Sequence, residues 1–226
     1  MTEATTTPDL NVAGASEGKR LALWEIASVA TSCLIAEWVV LSFVGRNKLI
    51  IAVPVLLALG LMVFSHRERG ETLRDLGFRG DNFLSACRLL LLPTALAVLA
   101  ILLASWLTNH TVFAGDVRVR YFSLPLWALL QQYALNGFIN RRTQLAFGKG
   151  AKSVALVAVV FALLHLPNPL LAILTLIGGL IWAAVYQRQP NLFALALSHT
   201  LVSLTLALNI SPDLLNSLRV GFKYFG

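Results

Sequence analysis

The chain has 226 residues, of which 57% are hydrophobic and only 13% charged, and its mean hydropathy is +0.74. That balance excludes an ordinary water-soluble domain, and almost every residue after position 20 belongs to an apolar segment or a short basic loop, which leaves no length for a separate soluble core. The formal net charge of +7 is accounted for by those loops facing anionic lipid, so it gives no reason to invoke nucleic acid.

In chain order, residues 1–19 are rich in Thr, Ala and Gly without a periodic apolar face and read as a disordered N-terminal tail. No cleavable leader is expected, because the first apolar run follows Lys19 and Arg20 and is long enough to stay in the bilayer. A spanning helix needs about 20 apolar residues. Candidate spans lie at 21–44, 49–65, 84–107, 122–139, 153–167, 169–187 and 191–208. The expected fold class is therefore all-α, a polytopic membrane bundle of about seven transmembrane helices, with six to eight as the range. Residues 20–208 form one integral membrane domain and 209–226 a C-terminal tail. The charged, Gly-punctuated segment 67–81 is expected along the interface, and "LPNP" at 166–169 forces a tight reversal, so that the fifth and sixth segments read as a hairpin that crosses incompletely.

Seven spans place Lys19, Arg20, Arg67, Arg69, Arg74, Arg79, Arg141, Arg142, Lys149, Lys152 and Arg188 on one side. Arg46, Lys48, Arg118, Arg120, Arg219 and Lys223 fall on the other. The richer side is cytoplasmic, which puts the N-terminus in the cytoplasm and the C-terminus outside. The expected location is a bacterial cell membrane. Cys33 and Cys87 sit singly in apolar runs and read as packing residues, and no C-x-x-C pattern points to a metal or a redox pair. His66 and His110 read as surface residues of loops, and the triplet "NHT" at 109–111 is assigned no role.

The polar residues left inside the spans carry the chemistry, because Asp, Lys or Arg at a helix centre costs about 2.5–3.5 kcal/mol on insertion scales and faces a bundle interior or a cavity. They are Glu37, Arg88, Gln131, Gln132, Asn136, His165, His199 and Ser203. At about 1.5 Å of rise per residue, Gln131, His165 and His199 each lie roughly 12–18 Å from a membrane face. Gln132 and Asn136, Phe161 and His165, and His199 and Ser203 are i,i+4 pairs, each on one helical face, so three helices are able to aim at one polar space. Interhelical hydrogen bonds worth about 0.6 kcal/mol each are the plainer reading of any single member.

The order "QQYALNG" (131–137), "FALLH" (161–165) and "SHTLVS" (198–203) resembles the three motifs of the CAAX prenyl protease and bacteriocin-processing enzyme (CPBP) family, over about residues 120–208. The pattern there is Glu-Glu-x-x-x-Arg, Phe-x-x-x-His and His-x-x-x-Asn or Asp. The segment "LRDLGFR" (73–79) is similar to a stretch that precedes the family's core. The resemblance implies an intramembrane endopeptidase in which a glutamate activates water and the histidines orient it or stabilise the oxyanion; a metal has also been proposed there. By that resemblance the catalytic positions are Gln131, Gln132, His165 and His199, and Asn136, Phe161 and Ser203 face the substrate.

Gln131 and Gln132 stand where the family has glutamates, Asn136 where it has arginine, and Ser203 where it has Asn or Asp. A glutamine amide neither takes a proton near neutral pH nor makes a good metal ligand, so no metal and no cofactor is expected. Loss of the arginine together with both carboxylates avoids a buried unpaired cation. Three functions fit: a hydrolase with altered chemistry, in which Glu37 replaces the lost carboxylate; a catalytically inactive pseudoenzyme that binds a lipidated or transmembrane client; and non-hydrolytic acid-base chemistry on a lipid or isoprenoid. Glu37 also has a structural reading, as a partner of Arg88 or of a neighbouring span. The expected partners are membrane lipid and one such client. The topology is tested with single cysteines at Lys149 and Asp116: an impermeant thiol reagent should reach them from opposite sides, and labelling from one side rejects the seven-span order.

Overall fold

A computed structural model describes residues 10–44, 48–108 and 119–226; His110, the triplet at 109–111 and Asp116 lie outside them. Helix α1 spans Leu10–Leu34 and continues through a π turn at Ile35–Val40 into Leu41–Val44, so it begins within the stretch expected as a tail. Next come α2 (Lys48–Glu68), the single turn α3 (Leu73–Leu76) and α4 (Phe83–Leu107). Helix α5 starts at Leu124–Gln132, passes through a π stretch at Tyr133–Asn140 and ends at Arg141–Phe147. Helices α6 (Ala151–Leu163), α7 (Pro169–Arg188), α8 (Leu192–Asn209) and the turn α9 (Pro212–Leu215) complete the chain. No strand occurs among the described residues, and the fold is the all-helical bundle expected from hydropathy.

Among the described residues, four helices are long and apolar enough to cross a membrane: Ser16–Phe43, Phe83–Leu107, Pro169–Arg188 and Leu192–Asn209. Helix α6 has 13 residues, about 20 Å at the α-helical rise, which is short of a hydrocarbon core about 30 Å thick. It pairs with α7 as a close hairpin, in which a Cβ on Gly179 would stand 2.9 Å from the Cα of Ala158. Small residues let the two backbones approach in this way. The reversal between them is built as the sequence requires: Pro169 opens α7, and Asn168 Oδ1 accepts from the Leu171 amide at 3.1 Å.

The expected C-terminal tail packs onto the bundle. Asn168 Nδ2 donates to Leu215 O at 2.8 Å, and the Gly221 amide donates to Leu166 O at 2.9 Å. Gly221 adopts φ +56°, and a Cβ there would lie 2.7 Å from the carbonyl oxygen of Glu37. Only glycine permits that approach.

Segment 67–81 does not cross. Thr72 and Asp75 form a capping box, Gly77 ends the turn in the left-handed region, and the Leu192 amide and Tyr186 hydroxyl donate to Gly77 O and Leu76 O at 2.9 and 2.8 Å. The same segment delivers Glu71 to a buried ion cluster that the sequence reading missed. Arg142, expected in a basic loop, is fully buried and reaches Glu25 of α1 at 2.9 Å and Glu71 at 2.8 Å. Arg141 binds Glu71 at 2.6 Å, Arg69 binds Glu25 at 3.0 Å, and Ser65 donates to Glu25 at 2.7 Å. His66 is a correction to the expected surface loop: it is buried near the end of α2, with Nδ1–H donated to Glu71 at 2.6 Å and its ring among Tyr133 and Phe138. The reason is electrostatic, because a guanidinium carried inside by the end of α5 requires carboxylates around it.

Burial alone raises the pKa of Glu71, but the hydrogen bonds from His66, Arg142 and Arg141 outweigh it and hold the carboxyl well below the usual carboxylate range. A depressed folded pKa contributes stability above the ordinary Glu value of about 4.3 and loses it as pH falls further. Arg142→Leu, which removes the buried guanidinium shared by Glu25 and Glu71 and leaves them with Arg69, Ser65, Arg141 and His66, should cost about 1–3 kcal/mol in detergent unfolding. The wild-type protein should lose its margin over Arg142→Leu as the pH is lowered through and below that range. A wild-type melt as low as the variant's at neutral pH contradicts the clamp.

Candidate functional site

The site grows from the π stretch of α5, whose i,i+4 amides line one side of the helix. Gln132, Asn136 and Asn140 are all fully buried, and polar groups at that depth must find partners within the protein. They find each other. Asn136 Nδ2 donates to Gln132 Oε1 at 2.7 Å, and Asn140 Nδ2 donates to Asn136 Oδ1 at 2.9 Å and to the Ala183 carbonyl at 3.1 Å. Asn140 Oδ1 accepts from Gln187 at 3.0 Å and from Gln144 at 3.1 Å. Gln187 in turn donates to Ser153 Oγ at 2.8 Å and accepts from the Gly150 amide at 2.9 Å. At the other end Gln132 Nε2 donates to His199 Nδ1 at 3.3 Å.

His199 lies on α8, buried against aromatic rings. Trp182 stacks 4.5 Å from it at 33°, and the Phe161 ring meets it edge-on at 6.0 Å. Trp182 Nε1 donates to Ser198 Oγ at 3.1 Å, and Ser198 also bonds Thr94 at 2.7 Å, so α4, α7 and α8 are tied together beside the imidazole. His165 stands just past the end of α6, in the reversal, with Nδ1–H donated to Phe161 O at 2.7 Å and its ring 4.7 Å from that of Phe161. Phe161 thus sits between the two histidines, its ring in contact with both.

Gln132, Asn136, Phe161, His165 and His199 therefore converge. Gln131 and Ser203 are half-buried and make no side-chain hydrogen bond among the described residues. Glu37 stands in the π turn of α1 with Oε2 buried and without a hydrogen-bond partner. No ion pair joins it to Arg88 among the described residues, and no hydrogen bond joins it to either histidine. Its neighbour is Gly221, whose amide is bonded to Leu166, so one residue separates that contact from His165. The donor set does not fit a metal: Gln132 turns an N–H toward His199, and Asn136 and Gln132 spend their oxygens or donors on each other.

Asn140, Gln144 and Gln187 were missed, as were Trp182, Ser198 and Thr94. A signal for two of them was present, since Gln132, Asn136, Asn140 and Gln144 repeat at four-residue intervals.

The family model described as Type II CAAX prenyl endopeptidase Rce1-like matches residues 18–205. No curated protein and no solved structure matches the chain. The matched stretch contains α5 through most of α8 with the reversal between α6 and α7, and so every converging residue of the site, and the chain belongs to the Rce1-like family of membrane proteins.

Proposed function

We propose that this chain uses the Rce1-like scaffold to bind a lipidated or transmembrane client at the His165–Phe161–His199 site without hydrolysing it. The observation that supports this reading is the hydrogen-bonded state of Gln132. Where the family pattern places a carboxylate, a neutral amide donates to His199 and accepts from Asn136, and neither act activates water. The surrounding buried amides are satisfied by one another, which favours a rigid, neutral backing for the histidines over a site that changes protonation during a cycle. Phe161 and Trp182 set their rings against the two imidazoles, so the surroundings of the histidines are mainly apolar.

A hydrolytic reading draws on one observation, the buried Glu37 Oε2 without a partner beside the Gly221–Leu166 contact. In that reading Glu37 supplies the missing carboxylate after a rearrangement that brings it to His165.

One assay separates the two. Full-length protein in lipid nanodiscs, incubated with a fluorescent farnesylated peptide, should retain the peptide intact, and chelator should not alter retention. His165→Leu and His199→Leu should each lower retention at least tenfold while insertion is unchanged, and Glu37→Gln should leave it within twofold. Release of shortened peptide by the wild type, abolished in Glu37→Gln, establishes the hydrolase and rejects the binder.

A further inference from the structure

We infer that Asn136 and Asn140 are positioning residues that set the tautomer of His199, so that this imidazole presents an Nε2–H donor to the site. The direction of a chain of side-chain amides is normally a free choice, since each can be turned end for end. Here two backbone groups remove that choice. The Gly150 amide is a donor only, so the Gln187 oxygen must face it and the Gln187 nitrogen must face Asn140. The Ala183 carbonyl is an acceptor only, so Asn140 must turn its nitrogen to it, and the second hydrogen of that nitrogen falls on Asn136 Oδ1. Asn136 is left with its nitrogen toward Gln132 Oε1, and Gln132 with its nitrogen toward His199 Nδ1.

An amide nitrogen donates and does not accept, so His199 Nδ1 must be the bare nitrogen of a neutral ring and the proton sits on Nε2. No hydrogen bond to Nε2 occurs among the described residues, so that N–H is free to meet a ligand. A carboxylate in place of Gln132 would accept instead, put the proton on Nδ1 and expose a lone pair at Nε2. Exchange of one oxygen for an NH2 group therefore reverses the polarity of the histidine. The group selected is an acceptor oxygen, such as an amide or ester carbonyl, and groups that need the lone pair, a metal ion or a protonated amine, are disfavoured.

The inference concerns the same site as the client reading but does not depend on it, because it is read from the free protein. Full-length protein carrying 15N-histidine, in nanodiscs, gives imidazole nitrogen signals from four histidines, and His199 is assigned by its loss in His199→Leu. Long-range correlations to the ring protons distinguish a protonated nitrogen from a bare one. In the wild type a single His199 species with Nε2 protonated and Nδ1 bare is expected. In Asn140→Leu, three hydrogen bonds away, the lower end of the ladder loses its fixed direction and both tautomers should be populated. Asn136→Leu interrupts the same chain one residue nearer and replaces Asn140→Leu if that protein fails to accumulate. A wild-type His199 protonated on Nδ1, or a folded Asn140→Leu or Asn136→Leu protein that keeps a single unchanged tautomer, overturns the relay. Failure to retain the farnesylated peptide with the Nε2–H tautomer present would instead remove the client reading and leave the relay standing.

Discussion

Buried amides have no water to complete their hydrogen bonding, and the centre of this protein is arranged by that constraint. Each unpaired polar group would cost about 1–3 kcal/mol, whereas each satisfied bond adds only about 0.5–1.5 kcal/mol. The penalty for a gap thus exceeds the gain from any one link, and the ladder from Gly150 to His199 is complete across α5, α6, α7 and α8. Its completeness explains why the π stretch of α5 is tolerated: the loosened helix is held by side-chain amides of its own and of α7.

Two different kinds of polarity serve the two ends of the molecule. At one end, charge is concentrated in Arg142, Arg141, Arg69, Glu25 and Glu71, which lock α1, α2 and the 67–81 segment to the end of α5. Along the Gln132–Asn136–Asn140 ladder within the apolar bundle the polar groups are neutral amides, and the guanidinium that the family pattern would place at residue 136 is replaced by an amide. The two solutions are consistent, because ions are retained where counter-ions from several elements converge and avoided where only one helix could supply them.

Much of the bundle is legible in the sequence, because hydropathy and the prolines of "LPNP" act locally. The expectation that Gln131, His165 and His199 share a depth rests on the same kind of local reasoning, since rise per residue converts position into height. What escapes is whatever depends on a second element. Arg142 reads as a loop charge until Glu25 and Glu71, far away in the chain, are seen around it, and His66 reads as a surface residue for want of the same partners. Asn140 lies at the expected end of a span, where a polar residue needs no explanation. The Ala183 carbonyl and Gly150 amide, which give the ladder its direction, are backbone groups and leave no trace in residue identity. Glu37 reads as a polar residue inside a span, but its seat against Gly221 follows from the packing of the C-terminal residues.

On the proposed reading the site is a neutral recognition site in which His199 offers a proton donor, and the position where the family pattern has a glutamate is a link in a hydrogen-bond chain. The most direct measurement is a high-resolution structure of the full chain with a farnesylated peptide bound. A client carbonyl oxygen should lie within hydrogen-bond distance of His199 Nε2, with the Gln132–Asn136–Asn140 ladder unbroken beside it. A cleaved peptide, or a metal ion or activated water held between His165, His199 and a displaced Glu37, would contradict it.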